Sequence, residues 1–206
     1  MADPAKKRAT YQDVLDAPEH VSAEIVNGVL HLSPRPAGPH ARSASTLGYL
    51  LGPPFDLGMD GPGGWLILVE PELHLREDIV VPDLGGWRSE RLPEVPDEPY
   101  FTVVPDWICE VLSPSTEAFD RAEKMAVYAA AGVKHAWLVN AKRQTLEVFR
   151  LHEGKWLTVV VHHGDLRVRA EPFEATELDL GILWSRVAPP SPRGSRASEA
   201  ALEYEI

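Results

Sequence analysis

The chain has 206 residues, a 44% hydrophobic composition, one cysteine and a formal net charge of −11 at pH 7. That length and apolar content suit one domain with a real core. A single cysteine excludes an intrachain disulfide and a cysteine-based zinc site, and it fits a reducing compartment. The charge is uneven: the first ten residues carry a net +2 and the segment after Trp184 is neutral, which leaves −13 on the body between them. Such a body repels a polyanion at long range, so binding phosphate requires a local basic patch or a metal. No apolar run approaches the roughly 18 residues of a membrane span, and no charged-plus-apolar leader opens the chain. A soluble cytoplasmic protein is expected.

Residues 1–10 read as a flexible tail, and Tyr11 to Pro18 as a short helix. Asn27-Gly28 between β-prone arms predicts a two-residue type I′ hairpin turn. Counting outward from it pairs Val26 with Val29, Ile25 with Leu30 and Glu24 with His31. The Glu24–His31 pair reads as a surface cross-strand contact, the alternative being a site role for Glu24. A helix is predicted from His40 to Leu51, with His40, Ala44, Leu47 and Leu51 on one face. His40 there reads as a partly buried core residue rather than a ligand. The glycines and prolines between Gly52 and Gly64 predict a loop, and they form neither of the two glycine-rich phosphate-cradling patterns.

Trp65 to Leu75 reads as a strand with Glu70, Glu72 and His74 alternating on one face, Pro71 marking an edge or bulge. Glu72 and His74 fit a solvated face; Glu70 stays open. Ile79 to Trp87 reads as a second, buried strand with Asp83 near its middle, and Arg88 to Tyr100 as a loop. Trp107 to Leu112 is another buried strand, interrupted by Glu110. A carboxylate there is costly unless something pairs with it, either a structural cation or a metal. Alternation places Cys109 on the opposite face, which argues against a Cys–Glu pair. Asp120 and Glu123 resemble a capping box opening an alanine-rich helix that stops at Gly132, followed by a strand from His135 to Val139. On the residues alone, Lys124 reads as a solvated helix lysine.

Asp83 and Glu110 are each a lone carboxylate in an apolar strand, and consecutive strands are usually neighbours in a sheet. At a strand spacing of about 5 Å the two could share one divalent ion. Asp106 is a poor substitute, since four positions along one strand separate it from Glu110 by roughly 13 Å. Oxygen donors without cysteine favour Mg²⁺ or Mn²⁺. The remaining segments, Gln144 to Leu151, Lys155 to Val161 and Leu166 to Ala170, read as a β-meander with His162 and His163 in a turn, and residues 185–206 as a second flexible tail.

Pro82-Asp83, Pro105-Asp106 through Glu110 to Thr116, Asp120 through Lys124 to Tyr128, Gly132-Val133 and Ala136 to Val139 together resemble the Uma-two family of restriction-type endonucleases in the PD-(D/E)XK superfamily. The resemblance implies an α/β fold over residues 11–184: a restriction-endonuclease-like mixed β-sheet core flanked by helices, with an N-terminal hairpin and C-terminal strands. It also implies a Mg²⁺- or Mn²⁺-dependent phosphodiesterase acting on DNA, with Asp83 and Glu110 as metal ligands and catalytic residues. The superfamily lysine stands two positions after the acidic residue, where this chain has Leu112. The resemblance assigns that role instead to Lys124 on the following helix. Glu24, His40 and Glu70 are candidates for supporting contacts or further ligands. A homodimer is expected because cutting two strands usually needs two sites. The rival expectation is a nuclease-derived fold that has lost catalysis and serves as a binding or assembly subunit, which the acidic body favours.

Overall fold

The computed structural model describes residues 8–35 and 37–187. Most of the two expected flexible tails, residues 1–7 and 188–206, lies outside the described residues. The near ends touch the domain: Ala9 N donates to Gly28 O at 2.9 Å, and Arg42 donates to Ser185 Oγ at 3.3 Å.

The first helix, α1 (Tyr11–Leu15), leads into a hairpin of β1 (Val21–Val26) and β2 (Val29–Pro34). Its register is the one counted from the turn: Val26 faces Val29, Ile25 faces Leu30 and Glu24 faces His31. Asn27 and Gly28 take positive φ of 54° and 76°, as a type I′ turn requires. Helix α2 (Gly38–Leu51) follows and runs on through a π-helical turn at Gly52–Asp56, where only a loop was expected.

The two long strands expected at 65–75 and 79–87 are each broken in two. Strand β3 (Trp65–Val69) stops where Glu70 turns to a φ of 49° ahead of Pro71, and β4 (Leu73–Leu75) starts beyond it. Strand β5 (Asp78–Val80) ends at Val81-Pro82, and β6 (Leu84–Arg88) begins after Asp83. Proline supplies no N–H to a ladder, so each proline marks the point where the chain leaves one sheet for another. Asp83 therefore sits in the break between strands and not inside one.

These halves build two sheets. One has four strands in the order β2-β1-β5-β4. The other has six, in which β6 neighbours β7 (Trp107–Val111), then β8 (His135–Asn140), β9 (Thr145–His152) and β10 (Lys155–His163), with β3 at the far edge beside β6. The β7–β8 pair is parallel and the remaining pairs are antiparallel, so the sheet is mixed. A parallel pair needs a crossover, which the helical segment between β7 and β8 provides. It begins earlier than expected, at α3 (Glu117–Phe119), passes through a π-helical turn at Asp120–Lys124, and ends as α4 (Met125–Ala131). Asp120 is thus inside the helix and caps nothing; Gly132, at a φ of 89°, is the left-handed residue that ends it.

Alternation along β7 sorts the two cores. Trp107, Cys109 and Val111 face Leu47 and Leu51 of α2 and the C-terminal segment around Phe173. Ile108 and Leu112 face Met125 and Tyr128 of α4, with Leu73 and Val80 of the smaller sheet. The expected meander is two strands rather than three. Strand β11 (Arg167–Val168) pairs instead with β12 (Leu178–Asp179), ahead of α5 (Leu180–Trp184), whose Leu183 and Trp184 close the α2 side. His162 and His163 lie at the end of β10, not in a turn. No helix among the described residues is long and apolar enough to cross a membrane.

Candidate active site

Glu110 lies on the face of β7 that packs against α4, and it is 3% exposed. The antiparallel register of β6 and β7 pairs Leu84 with Cys109, so the next positions along are Asp83 and Glu110. Strand adjacency thus brings the two acidic residues to one end of the sheet, where both line a pocket of about 340 Å³. Glu24, His40, Glu70 and Lys124 line it as well, so all six candidate residues meet there.

Lys124 is 3% exposed, which corrects its reading from the residues alone as a solvated lysine. Its ammonium lies 2.8 Å from Glu24 Oε1, 2.9 Å from Glu110 Oε1 and 2.9 Å from the Val81 carbonyl. An ammonium has three protons, and here each has an acceptor. Glu24 is the larger correction. It keeps its place opposite His31, yet its side chain is buried and accepts from Val81 N at 2.7 Å. His31 instead packs its ring against Phe119, at 4.4 Å between centroids. The small sheet lays β1 beside β5 and so carries Glu24 to the helix.

Two residues not assigned to the site from the sequence complete the cluster. Tyr128 is fully buried and donates its hydroxyl to Glu110 Oε1 at 2.5 Å. Asp120 is 5% exposed and lines the same pocket. Asp120, Lys124 and Tyr128 recur every four residues, a spacing that puts three polar side chains on one stripe of a helix. The π-helical turn at Asp120–Lys124 places both of its end residues in the interior, and such turns are frequent at functional sites.

Asp83 accepts from Val111 N at 2.6 Å and lies 3.2 Å from His40 Nε2. Burial lowers the proton affinity of His40, but the hydrogen bond to Asp83 together with the attraction of Asp83, Asp120 and Glu70 outweighs this, so its pKa is raised. The other ring nitrogen of His40, Nδ1, is buried without a hydrogen-bond partner among the described residues. Glu70 is exposed at the pocket rim, tied to Asp83 by its backbone N donating to the Asp83 carbonyl at 3.0 Å.

The site is short of positive charge. Burial raises the pKa of Glu110 well above the carboxylate range; Lys124 opposes this, while Asp120, Asp83 and Glu24 push the same way as burial. Burial likewise brings Asp120 up to about 6 against the pull of Lys124 and a Thr116 hydrogen bond. Burial disfavours the charged form of Lys124, yet Glu110, Glu24 and Asp120 outweigh it, so Lys124 is held firmly protonated. Asp83 and Glu110 offer hard oxygen donors, but among the described residues no three Asp, Glu, His or Cys side chains gather into a complete metal cage.

Asp106 belongs to a different structure. It is 2% exposed and accepts from Arg91, Lys134 and the Arg88 backbone, which accounts for it as a buried ion cluster on the sheet. Cys109 faces the other core and burial raises its thiol pKa, so it takes no part in the cluster.

The described fold is similar to that of a protein from Anabaena variabilis ATCC 29413, whose crystal structure is described as that of "a putative nuclease belonging to DUF820". The TM-score is 0.70 at 22% sequence identity, covering 86% of this chain and 98% of that one, a likeness of fold. No curated protein matches the chain. The family model of Uma2, described as "Putative restriction endonuclease", matches residues 9–181, and the chain belongs to that family.

Proposed function

We propose that the chain is a metal-dependent DNA endonuclease whose site is formed by Asp83, Glu110 and Lys124. The observation that carries this reading is the convergence of Glu24, Asp83, Glu110 and Asp120 around one buried lysine in a single pocket. A structural ion pair needs one carboxylate per cation; this cluster has a surplus, which adds to burial, the larger cause, in raising the proton affinity of Asp120 and Glu110.

The residues fit Mg²⁺ or Mn²⁺. Both ions take carboxylate oxygen, and Mg²⁺ is commonly held by one or two carboxylates with water and substrate phosphate filling the rest, so a complete protein cage is not required. Asp83 and Glu110 would hold the ion, and bound there it would polarise the scissile phosphate and lower the pKa of a water. It would also resolve the charge conflict of an acidic pocket receiving a polyanion.

The chain's own residues have separable tasks. Tyr128 fixes the Glu110 carboxylate from behind with its hydroxyl. The Val111 N–H and His40 hold Asp83 in one orientation. Lys124 is the buried cation of the pocket, Arg35 being exposed at its edge, and it would stabilise negative charge developing on the phosphate. To do so its ammonium must exchange one of its three present acceptors for a phosphate oxygen. Glu24, on the hairpin, is the partner that shares no strand with the metal ligands, and it keeps Lys124 charged in the meantime. No serine or threonine in the pocket has a histidine base to make it a covalent nucleophile, which leaves hydrolysis by water. A cytoplasmic homodimer, with one site for each strand, is part of this proposal.

The test is a Mn²⁺ titration of the purified protein followed by calorimetry, with cleavage of a labelled DNA duplex measured over the same range. One site that disappears in Asp83→Asn and Glu110→Gln, with cleavage tracking its occupancy, supports the proposal. Stoichiometric Mn²⁺ binding without cleavage of any DNA form supports the rival reading of a binding or assembly subunit, as the acidic body would suggest.

A further inference from the structure

A second pocket, of about 380 Å³, lies beside the first and shares His40 with it. It opens beyond the carboxyl ends of β7 and β8, the parallel pair. Leu112, Ser113 and Pro114 follow β7, and Ala141, Lys142 and Arg143 follow β8. Crevices outside the carboxyl ends of parallel strands are where α/β sheets habitually bind ligands. Pro39, Leu112, Pro114 and Ala141 give it apolar walls, and its size is in the range that takes a nucleotide-sized group.

Its lining is net basic where the neighbouring pocket is acidic, with Lys142 and Arg143 set against the one carboxylate, Glu117. Lys142 and Arg143 stand exposed at the rim, in the turn between β8 and β9. Several other cations of the domain are already committed. Arg91 and Lys134 bind Asp106, Arg121 binds Glu117 and Glu147, and Arg150 binds Glu171. Lys142 makes no ion pair among the described residues, and Arg143 has a long 3.9 Å contact with Glu117, whose oxygen is already held by Arg121 at 3.0 Å. A basic rim on an apolar cleft, continuous with the acidic site through one histidine, matches one ligand: the nucleotide next to the scissile phosphate. Its sugar and base would lie on the apolar wall and its outer phosphate on Lys142 and Arg143.

We infer that the pocket between the β7 and β8 carboxyl ends is a DNA subsite, binding a nucleotide that flanks the bond to be cut. This rests on the endonuclease reading and adds to it where the strand runs. In such a subsite the two basic residues contribute to binding the strand and not to the chemical step, so their loss is read in KM and in the salt dependence of affinity.

The experiment uses the full chain and a DNA duplex, with Ca²⁺ in place of Mg²⁺ for binding and Mg²⁺ for turnover. Lys142→Glu and Arg143→Glu are compared with Lys155→Glu, which makes the same charge change at the other end of β9, beyond the opposite turn. Each rim variant should lose about tenfold in affinity at low salt and show a salt slope smaller by about one counterion. Their kcat should stay within about twofold of wild type, and Lys155→Glu should fall less than about twofold in affinity, since a distant charge is largely screened. Rim variants no weaker than Lys155→Glu would overturn the subsite while leaving the nuclease reading intact. Rim variants that lose kcat with KM unchanged would also overturn it, placing the residues in catalysis or stability instead. A wild-type protein that neither binds nor cuts DNA would remove both readings together.

Discussion

Lys124 on the crossover helix meets Glu24 on the N-terminal hairpin at 2.8 Å, both almost wholly buried. This contact ties the small sheet to the large one at the point where Glu110 presents its carboxylate. It also means that the lysine is part of the structure, which changes what its removal should do.

Lys124→Met should abolish metal-dependent cleavage, and it should also destabilise the fold. A lysine on a solvated helix face would contribute about 0.5 kcal/mol or less. Here its loss leaves Glu24 and Glu110 buried without a cation, a situation that typically costs about 3–5 kcal/mol. Glu110, whose proton affinity burial already raises, can relieve part of the penalty by taking up a proton, so the loss should be larger at pH 8 than at pH 5. Thermal unfolding of the variant at both pH values checks this; an unchanged Tm at pH 8 would refute the buried network.

Asp120 provides a second pH signature. Its folded-state pKa, about 6, lies above its ordinary value of 3.8. Ionised Asp120 therefore destabilises the fold above pH 6, and the penalty vanishes as pH falls toward 4. In metal-free buffer Asp120→Asn should raise stability at pH 8 by on the order of 2 kcal/mol and change it little at pH 4. A uniform effect at both pH values would show that Asp120 is not held in its neutral form by burial.

A chain ending at Val187 should unfold cooperatively within a few degrees of the full chain. Among the described residues the α2-side core is already closed by Leu183 and Trp184, and the Trp184 indole donates to Gly164 O at 3.1 Å. Differential scanning calorimetry of the two chains decides it. A broad, non-cooperative transition would mean that residues 188–206 complete the core.

The sequence is most legible where a local rule decides the structure. Asn27-Gly28 fixes the hairpin register, Gly132 ends α4, and the alternation around Glu110 sorts Cys109 from Ile108. It is least legible where tertiary packing decides. Whether Glu24 is a surface residue depends on β5 lying beside β1, a pairing between residues more than fifty positions apart that no periodicity in either strand announces. The breaks at Glu70-Pro71 and Val81-Pro82 show in the sequence as prolines but not as changes of sheet, so on sequence alone Asp83 reads as lying within a strand. Asp120 followed the capping rule on spacing alone, and the π-helical turn that buries it has no comparable local signature. Tyr128 was within reach, because the four-residue recurrence of Asp120, Lys124 and Tyr128 was present in the sequence.

If Asp83, Glu110 and Lys124 form a working phosphodiesterase site, the protein must cut DNA only when a divalent metal is present. The most direct measurement is cleavage of supercoiled plasmid by the full chain in Mg²⁺, Mn²⁺ or EDTA, beside Glu110→Gln. Glu110→Gln keeps the size of the side chain and an oxygen for Tyr128 to donate to, but removes the carboxylate. Wild type should give nicked and linear products in either metal and none in EDTA, with a fall of at least about a hundredfold for Glu110→Gln. Cleavage that survives EDTA or the Glu110→Gln change would contradict such a site, as would a wild-type protein that leaves the plasmid supercoiled in both metals.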